Sequence, residues 1–239
     1  MTVLHLRGVS RVHGTGETAV HALIDADLTI EAGELVAIMG PSGSGKSTLL
    51  NLAGGLDSPT SGEVVVEGTG LSTLSKKKLA ALRRRSIGYV FQDYNLVPSL
   101  TAAENAALPL ELDGWGVGKA RKAALAALEE VGLELSVADR FPDEISGGQA
   151  QRTAIARALI GDRRLVLADE PTGALDSVTG EEVLKLLRGR CDDGAAGLLV
   201  THDARHAGWA DRVVFLRDGR VVDASEPLAD ADSLLKEAS

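Results

Sequence analysis

The strongest indication of the fold is the segment Gly40-Pro-Ser-Gly-Ser-Gly-Lys-Ser-Thr48. It satisfies the pattern G-x-x-x-x-G-K-[ST] of a phosphate-binding loop. The apolar run 35–39 before it predicts a buried strand, and residues 48–53 after it have helical character. Such a loop points backbone N–H groups at phosphate oxygens, and the positive end of the helix adds to the attraction. The stretch therefore predicts a parallel α/β sheet that binds a nucleotide at one strand end.

Within this loop, different residue types serve different parts of a nucleotide. Gly43 and Gly45 let the backbone approach the phosphates closely. Lys46 is expected to reach the β- and γ-phosphates, and the Ser47 hydroxyl to ligate Mg²⁺. The candidate nucleotide contacts here are Gly40, Pro41, Ser42, Gly43, Ser44, Gly45, Lys46, Ser47 and Thr48. ATP and Mg²⁺ are the expected cofactors.

A second stretch, Arg164-Leu-Val-Leu-Ala-Asp-Glu170, places four apolar residues before two carboxylates. A buried strand would deliver Asp169 to the carboxyl edge of the sheet, where such folds bind ligands. Asp169 then suits the Mg²⁺ shell, and Glu170 suits a base that orients or deprotonates the attacking water. Taken by themselves, two carboxylates after an apolar run are also typical of a strand that simply ends in solvent. Together with Lys46 it predicts an ATPase site.

Length and composition limit the fold and the partners. The chain has 239 residues, of which 44% are hydrophobic and 25% charged, as expected for one α/β domain. The net charge is −9, with 34 acidic against 25 basic side chains, and aromatic residues make up 3%. Both numbers argue against a general nucleic-acid binder. The negative net charge would repel the phosphates of a nucleic acid, and few aromatic side chains are present on which its bases could stack. We expect no nucleic-acid partner.

Cysteine content and hydropathy indicate the compartment. The one cysteine, Cys191, excludes an internal disulfide and a cysteine-based metal cage. No stretch approaches the ~18 consecutive apolar residues that span a bilayer. The N-terminus has no charged-then-apolar export signal. We therefore expect a cytoplasmic protein.

Periodicity predicts the remaining elements. Strands are predicted at 3–9, 22–30, 63–67, 87–90, 165–168, 198–201, 212–216 and 220–222. Residues 99–131 are predicted to be mostly helical, with a helix at 119–131, and further helices are predicted at 149–159 and 179–187. The tail 227–239 is predicted to be a loop and a short helix.

The basic runs 76–78 and 83–85 suggest a membrane or nucleic-acid patch, but in so acidic a chain a solvated helix face is favoured.

A third stretch, Ile145-Ser-Gly-Gly-Gln149, resembles the Leu-Ser-Gly-Gly-Gln signature of ATP-binding cassette (ABC) proteins. Ser146 can cap the following helix, while Gly147 and Gly148 can expose N–H groups to an anion. Further family elements follow the same order along the chain. Gln92 resembles the Q-loop glutamine, Asp176 in Ala174-Leu-Asp176 the D-loop, and His202 the switch histidine. The resemblance covers about residues 4–222.

The resemblance implies a P-loop NTPase (RecA-like) parallel-sheet core, an N-terminal antiparallel β subdomain and an inserted helical subdomain. One domain, 1–239, would consist of a core (1–91 and 149–225), a helical part with the signature loop (92–148) and a tail (226–239). The implied catalytic residues are Glu170, His202, Gln92 and Lys46, and the implied metal ligands are Ser47, Gln92 and Asp169. The further implied nucleotide contacts are His13, Ser146, Gly147, Gly148, Gln149 and Asp176.

Four positions depart from the family pattern. His13 stands where the family usually has an aromatic residue that stacks on adenine; histidine also stacks, with less area. Ile145 replaces leucine, Ala150 a frequent glutamine and Arg163 a frequent proline. None of these changes removes a catalytic group.

The resemblance is strongest to ATPases of lipoprotein, macrolide and antimicrobial-peptide exporters. It implies a separate integral-membrane permease that docks near residues 92–100, and a second copy of this chain in an ATP-sandwich dimer. The chain would then be cytoplasmic and peripheral on the inner face of the membrane. One alternative is a regulatory module that signals through a membrane protein to cell-wall or division enzymes. Another is an ABC ATPase acting on DNA or ribosomes, for which we find no second cassette, zinc motif or coiled-coil insertion.

Overall fold

The strands form two sheets in a computed structural model that describes residues 1–225. The strands are β1 (Thr2–His13), β2 (Val20–Glu31), β3 (Leu35–Met39), β4 (Ser61–Val66), β5 (Thr69–Gly70), β6 (Ile87–Val90), β7 (Leu165–Asp169), β8 (Ala196–Val200), β9 (Arg212–Arg217) and β10 (Arg220–Ser225). The helices are α1 (Lys46–Ala53), α2 (Lys76–Ser86), α3 (Ala102–Leu112), α4 (Val117–Glu130), α5 (Gly147–Leu159), α6 (Ser177–Asp192) and α7 (Ala204–Ala207). Single 3₁₀ turns lie at Gly16–Thr18, Leu71–Thr73, Leu135–Val137 and Pro142–Glu144. The predicted tail lies outside the described residues.

The first sheet is antiparallel, with the strand order β2-β1-β4-β5, which confirms the predicted N-terminal β subdomain. β1 and β2 are longer than predicted, since their ladder continues past Val9 to the pair His13–Val20. Register shifts interrupt this ladder between Leu6 and Val12. Bulges of this kind break the simple alternation of polar and apolar residues, so the pattern alone ended the strands too early.

The second sheet has the order β10-β9-β3-β8-β7-β6 and forms the predicted core. The five strands from β9 to β6 are parallel, and β10 is antiparallel to β9. Parallel strands all end at the same edge of a sheet. The loop after β3 and the carboxylates that end β7 therefore lie at one edge, separated by β8.

β3 is buried on both faces. Val36 and Ile38 pack in a cluster with the antiparallel sheet and α1, while Ala37 and Met39 pack in a second cluster with α3, α4, α5 and α6. This explains why β3 reads as a continuous apolar run rather than an alternating one. The strand that positions the phosphate loop is thus held from both sides.

α3 and α4 form the predicted helical segment and pack on α5. Thr101 and Glu104 form a capping box that starts α3. The buried side of α4 carries small residues at Ala120, Ala124 and Ala127, a spacing of three to four that lets the helices approach closely. The exact division of the chain at residues 91 and 148 stays a prediction. Among the described residues, no helix combines the length and the apolar character that crossing a membrane requires.

The basic segment before β6 is helical, and its basic residues differ in exposure. Lys76, Lys77 and Lys78 are exposed on α2. Arg83 is instead half-buried and donates to the carbonyl of Gly55 at 2.9 Å. The carbonyl of Arg84 accepts a hydrogen bond from Arg163. The prediction of a solvated face therefore holds for the lysines and for Arg85, which is exposed and pairs with Asp113 at 2.7 Å. It is wrong for Arg83, which binds a backbone carbonyl that sequence patterns do not show, and for the half-buried Arg84.

Cys191 is buried in α6, and burial raises the pKa of its thiol to about 12. Since the thiolate is the nucleophile that attacks thiol reagents, we expect negligible labelling of the native protein at pH 8 and full labelling after denaturation. In the unfolded chain the thiol ionises near its ordinary pKa of about 8.5. Stability should therefore fall as pH rises from there toward 12, because only the unfolded state then loses the proton. Rapid labelling of native protein with a chromogenic disulfide would contradict this expectation.

Candidate nucleotide-binding and catalytic site

A cleft of about 760 Å³ opens where the parallel strands end. It brings together most residues that the sequence predicted for the site: Gly40, Ser42, Gly43, Gly45, Lys46, Ser47, Thr48, Gln92, Asp169, Glu170 and His202. Val20 and His21 also line it, although no sequence pattern marked them. They come from the start of β2, which the long β1–β2 ladder carries to this edge. His13 is exposed and pairs with Val20 across that ladder, so it lies beside the cleft rather than in its lining.

The phosphate loop depends on a glycine at its end. Gly45 has φ +106°, and a Cβ there would overlap the carbonyl oxygen of Ala22. Its own carbonyl accepts the first bond of α1 from Leu49 at 2.9 Å. Ser44 is buried and is not part of the cleft lining; its N–H donates to Pro41 at 3.3 Å. The loop backbone thus starts the helix with its N–H end directed at the cleft.

Lys46 stands at the centre of this loop. Its Nζ donates to the carbonyls of Gly40 at 2.7 Å and Pro41 at 2.8 Å. Burial lowers the pKa of Lys46, and the nearby carboxylates of Glu170 and Asp169 oppose that shift. The ammonium is therefore partly desolvated, which strengthens its attraction for a phosphate.

Asp169 provides a buried carboxylate at the end of β7. It is 8% exposed, and burial raises its pKa, whereas a hydrogen bond with Ser47 and the charge of Lys46 lower it. A hydroxyl and a carboxylate in contact are oxygen ligands of the kind that Mg²⁺ prefers. A divalent cation would also offset the cost of burying this charge. The donor set therefore fits Mg²⁺.

Glu170 follows Asp169 with an unusual backbone, φ +47°. Its N–H donates to the carbonyl of Val200 at 3.0 Å, which anchors it to β8. Its Oε1 lies 2.7 Å from Nδ1 of His202, which lies in the loop between β8 and α7. The Glu170 side chain is 17% exposed and that of His202 81% exposed. The pair can thus hold a water molecule and a phosphate from the same side of the cleft.

Gln92 enters the cleft from the loop after β6. Shortly after it, Tyr94 and Asn95 both have positive φ, at +59° and +48°. Arg157 of α5 donates to both of their carbonyls at 2.6 Å. Burial lowers the pKa of this guanidinium, and the two carbonyls compensate part of its desolvation. The loop that carries Gln92 is therefore tied to α5.

The signature residues lie outside the cleft lining. Ser146 and Gln149 form a capping box at the start of α5: the Ser146 Oγ accepts from the Gln149 N–H, and the Gln149 Oε1 accepts from the Ser146 N–H. Ser146 and Gly147 are exposed, and Gly148 is half-buried. A rigid helix tip with free N–H groups at the surface suits an anion brought from outside.

Asp176 also lies outside the cleft lining and caps α6. Its carboxylate accepts from the Thr179 N–H at 3.1 Å and the Thr179 hydroxyl at 2.8 Å, and these bonds lower its pKa. The structure thus gives this side chain a capping role that the sequence pattern did not suggest. A nucleotide contact from Asp176 stays a prediction.

Comparison with known proteins agrees with this geometry. A family model for the ABC transporter matches residues 23–173. The chain is 46% identical over 223 residues to the macrolide export ATP-binding/permease protein MacB of Hyphomonas neptunium, covering 93% of this chain but 34% of the relative. It is also 46% identical to the ABC transporter ATP-binding protein MJ0796 of Methanocaldococcus jannaschii, covering 92% of this chain and 95% of the relative. The chain thus spans about a third of the macrolide exporter and nearly all of MJ0796.

A solved structure extends the likeness to three dimensions. The dimeric structure of a post-hydrolysis state of the ATP-binding cassette MJ0796, bound to ADP and Pi, matches with a TM-score of 0.90. The sequence identity in this match is 42%, and it covers 95% of this chain and all of the other. Since the family model covers more than half of the chain and the site geometry agrees, this chain belongs to the ABC transporter family and is an ATPase of the ATP-binding cassette type.

Proposed function

We propose that this ATPase works as a pair of identical cassettes that close on two MgATP and drive a separate membrane permease. The observation that carries the proposal is the separation of two anion-binding elements. The cleft holds Lys46 and the phosphate loop, whereas the signature tip at Ser146 faces outward. One copy thus presents two half-sites, and a two-fold pair would form two complete ones.

Within each complete site, we assign roles from the distances. Lys46 and the loop N–H groups bind the β- and γ-phosphates. Glu170 orients the attacking water and takes its proton, and His202, 2.7 Å from it, contacts the γ-phosphate. Ser47, Asp169 and Gln92 would hold Mg²⁺, which when bound neutralises charge on the phosphates. Ser146 and Gly147 of the second copy then reach the γ-phosphate from the opposite side.

The permease proposal is supported by a groove on the outer side of the Gln92 loop. The groove measures about 220 Å³ and lies between α2, α3 and β6. Its apolar lining includes Leu56, Phe91, Leu108 and Leu112, of which Leu56 and Leu112 are large exposed hydrophobic residues. An apolar, solvent-facing groove of this kind fits a short helix of another protein. Docking there would place the chain on the inner face of the membrane.

The type of cargo is proposed from the relatives. The macrolide exporter is named as both an ATP-binding and a permease protein, and this chain covers about a third of its length. We propose export of a lipoprotein, peptide or drug-like substrate. Copurification of the chain with its permease, followed by transport in vesicles, tests this assignment.

A mixing experiment tests the paired site. Lys46→Ala inactivates the phosphate loop, and Gly147→Asp puts a negative charge on an exposed signature position without steric conflict. Each variant alone should have little ATPase activity. An equal mixture should recover about a quarter of the parent rate, because half of the pairs are mixed and each of these keeps one intact site.

The uncharged variant Gly147→Asn is the matched control, and it should lose less activity than Gly147→Asp. Differently tagged copies confirm that mixed pairs form. If mixed pairs form and the mixture stays inactive, the signature does not complete the site of the other copy.

A further inference from the structure

We propose that Gln151, on the second turn of α5, is a positioning residue that holds Glu170 in its reactive orientation. The proposal rests on the role assigned above to Glu170 as the base. Gln151 lies outside the phosphate loop and the signature, and it does not line the cleft. Its effect on ATP hydrolysis would therefore act through the backbone of the loop that carries the base.

The contacts of Gln151 carry the inference. Its side chain is 1% exposed on a helix face otherwise made of apolar residues. Its Nε2 donates to the carbonyl of Pro171 and lies 3.4 Å from that of Glu170. Its Oε1 accepts from the N–H of Ala174 at 2.9 Å. The amide group of Gln151 thus hydrogen-bonds to both ends of the segment 171–174, which follows the base.

The backbone of Glu170 needs such a support. A residue other than glycine is strained at φ +47°, so surrounding bonds must hold Glu170 there. On its amino side, Glu170 donates to Val200 of β8. On its carboxyl side, the support comes from Gln151 and from the turn bond of Gly173 to Glu170 at 3.1 Å. Without Gln151, the turn bond from Gly173 would be left to hold the carboxyl side of Glu170.

Glutamine is the residue type that this position requires. The side chain must donate to one or two carbonyls and accept from one N–H at the same time, and an amide has both groups. Glutamate would place a carboxylate against two carbonyl oxygens. Asparagine is one methylene shorter and cannot keep both contacts. The fully buried site leaves little water to replace a lost partner, so each loss is costly.

This placement also connects two sites in the proposed pair. α5 begins at the signature, which would serve the nucleotide of the second copy, and Gln151 lies one turn further along the same helix. Closure of the signature on that nucleotide would therefore act on the base of its own subunit through a short and rigid path.

The test compares Gln151→Leu and Gln151→Asn with the parent protein. The expected result for both is a fall in kcat of about tenfold to a hundredfold, because small displacements of a catalytic group have effects of this size. The KM for ATP and the affinity for MgATP should stay at the parent values, since the phosphate loop is untouched. Pair formation on MgATP should also be retained.

Thr153→Val is the matched control. Thr153 is a buried polar residue of the same helix, with its Oγ1 bonded at 2.9 Å to the carbonyl of Gln149 and not to the base loop. We expect its kcat to remain near the parent value. A general loss of helix stability would instead affect all three variants alike.

Two results would overturn the proposal. One is a parent-like kcat in either folded Gln151 variant, and the other is a KM that rises in step with the fall in kcat. Gln151→Asn keeps an amide in the site and provides the measurement if Gln151→Leu does not fold. Failure of the base assignment is distinguishable, because it would show as undiminished turnover in Glu170→Gln itself.

Discussion

Replacing Glu170 with glutamine should lower kcat for ATP hydrolysis by about a hundredfold to ten-thousandfold, the usual contribution of a general base. The amide keeps the shape of the side chain and can still hydrogen-bond to Nδ1 of His202, which lies 2.7 Å from the Glu170 carboxylate in the parent protein. It cannot take a proton from water. ATP binding should persist, and the protein should accumulate as an ATP-bound dimer. Single-turnover kinetics and size-exclusion chromatography with ATP provide the two measurements.

Glu129→Gln is the control for the change in charge. Glu129 is exposed on α4, away from the cleft, and its replacement removes the same charge from the chain. Its turnover should equal that of the parent. Hydrolysis at the parent rate by Glu170→Gln would remove Glu170 from the role of base, and loss of ATP affinity would indicate a damaged cleft instead.

Gly45→Ala should weaken MgATP binding by about a hundredfold, equivalent to about 3 kcal/mol. A Cβ at this position would overlap the carbonyl oxygen of Ala22, and φ +106° is unfavourable for alanine. The loop would therefore relax away from its phosphate-binding shape, and nucleotide binding would have to force it back. Isothermal calorimetry with MgATP measures the loss.

Gly43→Ala separates the steric effect from the conformational one. Gly43 also has a positive φ, +78°, but a Cβ there would meet no atom within 4 Å. We expect a loss of about fivefold to thirtyfold, corresponding to the 1–2 kcal/mol of a left-handed alanine. Equal losses at the two positions would show that the contact with Ala22 does not matter.

The sequence predicted the centre of the site because its parts are local. The loop 40–48 carries its own geometry in its glycines, and the apolar run before Asp169 marks a buried parallel strand. Parallel strands end at one edge, so the meeting of Lys46, Asp169 and Glu170 follows without knowledge of strand order. The helical character of 99–131 was equally visible, since alanine and leucine dominate it.

The sequence did not predict features that depend on contacts between distant segments. Val20 and His21 reach the cleft only because a bulged ladder extends β1 and β2. Arg83 binds the carbonyl of Gly55, which no periodicity shows. Gln151 could have been noticed as an amide on an otherwise apolar helix face, but its partners lie about twenty residues away along the chain. Backbone acceptors of this kind have no sequence signal.

The bonds of Arg157 to the carbonyls of Tyr94 and Asn95 have a mechanical consequence. A half-buried guanidinium that gives up both acceptors loses two hydrogen bonds, so stretching this connection is costly. Residues 94–95 and the N-terminal end of α5 at Ser146 should therefore move together as a rigid unit. We expect a displacement that the proposed membrane partner imposes on residues 94–95 to be transmitted through α5 to the nucleotide of the second copy in the proposed pair.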